Sequence, residues 1–102
     1  MNEENYAKMC KALGDPIRLS IFNLLKTGTK CACVLLENFD VTQPTLSYHM
    51  KALIASGLVV CEQDGKWSNY SLNCAAVQEL TGYLSTKCRS SDISTCHDCH
   101  KK

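Results

Sequence analysis

The sequence predicts a mainly α-helical domain with one β-hairpin, an α+β fold of five helices and a two-stranded wing. Three observations predict it. Apolar residues recur at helical spacing in successive segments, and Asp15-Pro16 and Thr42-Gln43-Pro44 read as helix starts. Asp64-Gly65 separates two short apolar runs, a strong signal for a tight hairpin. The chain has 102 residues and is 45% hydrophobic, enough for one domain with a small core and too apolar for a disordered chain.

Each element has its own signal. Tyr6, Met9, Cys10 and Leu13 fall at i, i+3, i+4 and i+7, the stripe of a helix buried on one face, and Gly14 stops it. Asp15 caps the second helix with Pro16 at its first position, where a missing N–H costs nothing. Ile17, Ile21, Leu24 and Leu25 form its apolar face, and Gly28 ends it. Residues 31–39 read as a short third helix containing Val34, Leu35, Leu36 and Phe39. Thr42 caps a fourth, 43–56, whose Leu46, Met50, Leu53 and Ile54 face the core, with Gly57 closing it. Residues 58–63 and 66–72 are the hairpin strands, and a last helix covers about 75–88, with Val77, Leu80, Tyr83 and Leu84 on one side. A short helix, a tight connection, a second helix and then a hairpin is the layout of a winged helix-turn-helix. Residues 1–88 read as that unit, serving DNA binding and dimerisation, and 89–102 as a polar Cys/His-containing tail.

The fourth helix is the candidate reading element. Opposite its core stripe stand Pro44, Tyr48, Lys51 and Ala55, with Thr45 and Ser47 on the flanks. A small, hydroxyl-rich face suits a helix lying in a major groove. Gln43 can bond adenine bidentately, and Ser47 and Tyr48 can donate to bases or phosphates. A merely solvated helix face is the plainer reading. The hairpin tip adds Lys66, placed where a wing meets a DNA backbone, while Trp67 and Tyr70 are expected to pack the wing onto the body. Net charge is only +1, which disfavours a general nucleic-acid coat. Residues 1–30 carry five cations and three anions, whereas 31–86 carry two and five. Affinity for DNA would therefore rest on few phosphate contacts, doubled by dimerisation, with help from the basic ends.

Eight cysteines are the outlier of the composition. Met1 to Tyr6 is polar and acidic, so no secretory signal is visible, and no run of about 18 apolar residues offers a membrane span. The cytoplasm, where thiols stay reduced, is the expected compartment. No Ser/His/Asp arrangement or phosphate-cradling glycine loop suggests an enzyme. Cys96-x-x-Cys99 lies on a polar tail without the βαβ surroundings of a thiol oxidoreductase.

Lys11-Ala12-Leu13-Gly14-Asp15-Pro16-Ile17-Arg18-Leu19 resembles the opening "ALADPTRL" motif of the ArsR/SmtB family of metalloregulatory repressors. Residues 41–53, Val-Thr-Gln-Pro-Thr-Leu-Ser-Tyr-His-Met-Lys-Ala-Leu, resemble that family's recognition helix, and residues 65–72 its wing. Lys30-Cys31-Ala32-Cys33-Val34-Leu35 is similar to the "CVCDL" arsenic-binding motif of its arsenical-resistance branch. The resemblance implies a homodimer, held by the first and last helices, that represses a resistance operon. It would release DNA when trivalent arsenic or antimony binds cysteine thiolates, with no constitutive cofactor. The operator expected for a two-fold dimer is an inverted repeat. One branch of the family has a third cysteine three residues after the second of the pair; here that position is Leu36.

Thiolates select soft ions, which excludes Mg²⁺ or Ca²⁺ at such a site. Two cysteines at i and i+2 of a regular helix point apart, so Cys31 and Cys33 are expected to chelate only if the start of the third helix is frayed or unwinds. A helix N-terminus and Lys30 would favour the thiolate form. Candidates for a third ligand are Cys96 and Cys99, in a tail segment with interleaved His97 and His100, and Cys10, for which core packing is the better reading. Cys61 and Cys74 read as structural, and Cys88 can go either way. A zinc site on the last helix is disfavoured, since 75–88 has Glu79 and no His. The alternative to arsenic sensing is a repressor of the same fold that senses redox state through a dithiol, or a soft divalent metal such as cadmium or zinc.

Overall fold

The computed structural model describes residues 2–85. Eight elements follow one another: α1 (Glu3–Leu13), α2 (Pro16–Leu25), β1 (Lys30–Cys31), α3 (Ala32–Asn38), α4 (Gln43–Ala55), β2 (Val59–Asp64), β3 (Trp67–Leu72) and α5 (Cys74–Leu84). The five helices and the β2–β3 hairpin are those expected from the sequence. The tail 89–102, with Cys96 and Cys99, and Cys88 lie outside the described residues.

Local chemistry starts the helices. The Asp15 carboxylate accepts from the Ile17 and Arg18 N–H groups at 2.9 and 3.2 Å, and the Thr42 hydroxyl accepts from the Thr45 N–H at 3.3 Å. Asn2 caps α1 and Asn73 caps α5 in the same way. Proline follows Asp15 directly at the start of α2, and α4 likewise has Pro44 in its first turn. Gly57, with φ +89°, turns the chain from α4 into β2.

The sheet differs from expectation. It has three antiparallel strands in the order β1-β3-β2, because Lys30 and Cys31 pair with Tyr70 and Asn69. Cys31 is therefore strand, and α3 begins one residue later than expected. A two-residue strand is too short to leave a periodic signal, and its pairing is with residues far along the chain. The hairpin loop is Gly65-Lys66, since Asp64 still pairs with Trp67, and Gly65 takes φ +65°.

One apolar core joins all five helices. Met9 and Ala12 of α1, Ile21 and Leu25 of α2, Leu35 of α3, Leu46, Met50 and Leu53 of α4, and Ala76 and Leu80 of α5 meet Leu58 and Val59. Three expected core or packing positions lie outside it. Cys10 is exposed, because it sits on the flank of α1 beyond Met9. Ile54 is 38% exposed, on the edge of the α4 stripe. Trp67 is 56% exposed at the far end of the wing, whereas Tyr70, nearer the body, packs against the core. Cys61 and Cys74, read as structural, are also exposed. Among the described residues no helix is long and apolar enough to cross a membrane.

Leu53 is fully buried at the centre of α4. Its replacement by alanine is expected to destabilise the fold by about 2–5 kcal/mol in urea unfolding. Asp15 is held below its ordinary value of 3.8, chiefly by the hydrogen bond from the Arg18 N–H. A depressed folded-state value means that its contribution is complete above pH 3.8 and is lost as pH falls through the folded-state value. Asp15→Ala should lower the melting temperature by about 4–8 °C at neutral pH, and Asp15→Asn, itself a good cap, by much less.

Candidate nucleic-acid interface and thiol pair

α4 has two faces. Leu46, His49, Met50 and Leu53 are buried, and Gln43, Pro44, Thr45, Ser47, Tyr48 and Lys51 are exposed. Every candidate base or phosphate contact on this helix is therefore open to solvent. Lys66 is exposed in the hairpin loop. Tyr48 is 65% exposed, far more than a ring of its size keeps without reason.

The helix is fixed from behind by a residue that sequence reasoning quoted but gave no role. Arg18 donates from Nε to the Ala12 carbonyl at 2.7 Å and from Nη1 to His49 Nδ1 at 3.2 Å. A guanidinium has no acceptor, so Nδ1 of His49 must accept and the ring proton sits on Nε2. The same guanidinium lies 5.9 Å from the Tyr48 ring centre, and His49 meets Tyr48 edge-on at 5.3 Å. The end of α1, the start of α2 and the middle of α4 are thus tied at one cation. His49 stands three residues after Leu46 and four before Leu53, on the buried stripe, and that spacing was the available signal for its role.

The thiol pair lies at the junction of sheet and α3. Cys31 ends β1 and occupies the cap position of α3 with extended backbone, φ −82° and ψ 162°. Cys33 follows inside the first turn and is exposed. The pair is therefore not a helical i, i+2 pair, and no turn of helix holds the two side chains apart. The neighbouring Cys33 thiol, a potential donor to sulfur, holds Cys31 below the usual thiol value, with the Val34 N–H adding to it. The neighbouring Cys31 pushes Cys33 up. The Lys30 ammonium donates to the Gly28 carbonyl at 3.2 Å. Elsewhere on the sheet, burial pushes the Tyr70 phenol up, and Cys61, its partner across β2–β3, adds to that. Among the described residues no three His, Cys, Asp or Glu side chains gather as a metal-holding group, so neither Cys10 nor any other described residue completes the pair within one chain.

Comparison with known proteins places this architecture. Residues 15–60, which hold the Asp15 cap, the thiol pair and all of α4, match the family described as bacterial regulatory protein, arsR family. The arsenical resistance operon repressor of Staphylococcus aureus is 42% identical over 80 residues, 78% of this chain and 77% of that protein. The chain belongs to the arsR family. The arsenical resistance operon repressor of Bacillus subtilis (strain 168) is 44% identical over 81 residues, covering 78% of this chain and 74% of the relative. The crystal structure of an ArsR family transcriptional regulator superposes with a TM-score of 0.76 over 83% of this chain and 88% of that one. At 21% identity, that likeness speaks for the winged-helix fold alone. This arsR-family chain is thus a transcriptional repressor and not an enzyme.

A thiol held below 9.0 carries more thiolate at any pH beneath that value. Iodoacetamide at neutral pH should therefore label Cys31 faster than Cys33, as read by peptide mass spectrometry. Cys33→Ala removes the side-chain donor and should slow the labelling of Cys31.

Proposed function

We propose that this chain is a homodimeric repressor that releases operator DNA when trivalent arsenic or antimony binds Cys31 and Cys33. The observation that carries this reading is the placement of the two thiols at the edge of the wing sheet, Cys31 in extended backbone at the end of β1 and Cys33 in the first turn of α3. Trivalent arsenic is a soft centre, and thiolates are its matching donors. Each As–S bond forms as a thiol gives up its proton and arsenite loses a hydroxyl as water, with no change of oxidation state. A third sulfur would come from Cys96 or Cys99 of the tail.

DNA contact is assigned to Gln43, Pro44, Thr45, Ser47, Tyr48 and Lys51 of α4, and to Lys66 of the wing. Support for dimerisation through α1 and α5 comes from their outer surface. Tyr6 and Tyr83 stack at 3.9 Å between ring centres, and Tyr83 and Leu84 remain 46% and 59% exposed. Large apolar side chains left open on adjoining helices suit a second copy of the chain. A two-fold dimer of this fold reads an inverted repeat with half-sites about 34–36 Å apart, or a multiple of it.

The signal has a short path. Cys31 pairs with Asn69 of β3, so a ligand that pulls Cys31 towards Cys33 pulls on the wing. α3 buries Leu35 in the core shared with α4, so it also shifts the seat of the reading helix. For release, the inducer must bind the DNA-free form better, and a coupling of about 1–3 kcal/mol changes operator affinity roughly 5–150-fold.

The variants separate the two halves of the proposal. Cys31→Ser and Cys33→Ser should each bind operator DNA as the unaltered chain does, yet fail to release it with arsenite in an anisotropy assay. Tyr48→Ala should weaken operator binding and leave arsenite affinity unchanged. A cysteine variant that still responds normally to arsenite would refute the assignment.

A further inference from the structure

The segment 31–86 is acidic, yet α4 belongs to it. The fold compensates from the other end of the chain. A groove of about 230 Å³ runs between α1 and α4, lined by Lys8, Lys11 and Arg18 on one side and by Tyr48, Ala52 and Ala55 on the other. Tyr48, Ala52 and Ala55 fall at i, i+4 and i+7, so they form one stripe along α4. That stripe starts at the exposed ring of the reading face and runs back along the helix. The two alanines leave room for the lysine stems of α1.

The charges in this groove are uneven. Among the described residues no carboxylate forms an ion pair with Lys8 or Lys11. Glu4 stands one turn before Lys8 on α1 without pairing with it, and Asp15 acts on Arg18 at the start of α2. Arg18 is fixed by Ala12 and His49 and so gives the groove a cation held in place in its lining. The tyrosine contact of α1 is on its other flank, where Tyr6 stacks on Tyr83 of α5. Use of α1 and α5 as a contact between copies therefore leaves the lysine flank open.

We propose that this groove clamps a DNA backbone phosphate beside the reading helix, with Lys8 and Lys11 closing on it over the fixed Arg18. The inference rests on the repressor reading and adds to it a phosphate contact from outside the helix-turn-helix and the wing. Phosphate contacts position a protein on the duplex without reading sequence, and each one contributes to the salt dependence of binding. A cationic groove contiguous with Tyr48 would set the depth and tilt of α4 in the major groove.

The test compares the full chain with its Lys8→Gln/Lys11→Gln variant in fluorescence anisotropy, using the duplex that precedes the gene and a scrambled duplex. The variant is expected to bind both duplexes more weakly by the same factor, because a phosphate contact carries no sequence information. The slope of log Kd against log salt should fall by about 1 for each lysine lost per bound subunit. Lys8→Arg/Lys11→Arg should restore the slope. Both lysines are exposed, so the thermal midpoint should not move.

If the unaltered chain binds and the glutamine variant binds with the same affinity and slope, the groove proposal is overturned and the repressor reading stands. If the unaltered chain binds neither duplex, both fail. If inorganic phosphate shifts the Tyr48 resonances in NMR while the salt slope is the same in both proteins, the groove holds a free anion and its assignment to DNA is overturned.

Discussion

The Arg18 guanidinium fastens the reading helix to the rest of the fold. It donates to the Ala12 carbonyl at the end of α1 and to Nδ1 of the buried His49 in α4, and its own backbone N–H is bound by the Asp15 cap. Three helices therefore share one planar, permanently charged group. An arginine suits the position because its fork reaches two acceptors at once and it cannot lose its proton. A lysine would offer a point charge and no plane behind Tyr48. The same anchor seats α4 and lines the α1–α4 groove.

The thiol pair, proposed as the inducer site, lies where β1 passes into α3. It couples to the body through β1, whose two residues pair with β3, and through α3, whose Leu35 is fully buried. Sheet pairing and close packing tolerate small displacements poorly, so a ligand that redraws the geometry at Cys31 and Cys33 is felt at both wing and helix. Because Cys31 is already extended and outside α3, the proposed inducer need not first unwind a helix. Its binding energy remains available to discriminate between DNA-bound and DNA-free forms.

Much of this was legible in the sequence. Asp15-Pro16 and Thr42-Gln43-Pro44 announced two helix starts because the capping chemistry is local, and the Leu46, Met50, Leu53 stripe set the orientation of α4. The paired cysteines marked the thiol site by their spacing. What escaped depends on contacts between distant residues. The pairing of Lys30 and Cys31 with β3 has no local signature, and it changes the thiol geometry from helical to strand-to-helix. Cys10 has the spacing of a core residue and lies just past the edge of the buried stripe. Trp67 is apolar enough for a core but sits beyond reach of the body. Lys8 and Lys11 carry no local signal of a groove, because it exists only where α4 lies beside α1.

The central claim is that a ligand at the reduced thiol pair is read out as loss of DNA affinity. The most direct measurement is an anisotropy titration of the reduced chain on the duplex preceding its gene, with arsenite added and then removed by a competing dithiol or a monothiol. Zinc, cadmium and a disulfide-forming oxidant run in parallel. The account predicts that arsenite weakens binding about 5–150-fold and that the dithiol, but not the monothiol, restores it. Release by oxidant or zinc, with arsenite inert, would contradict it.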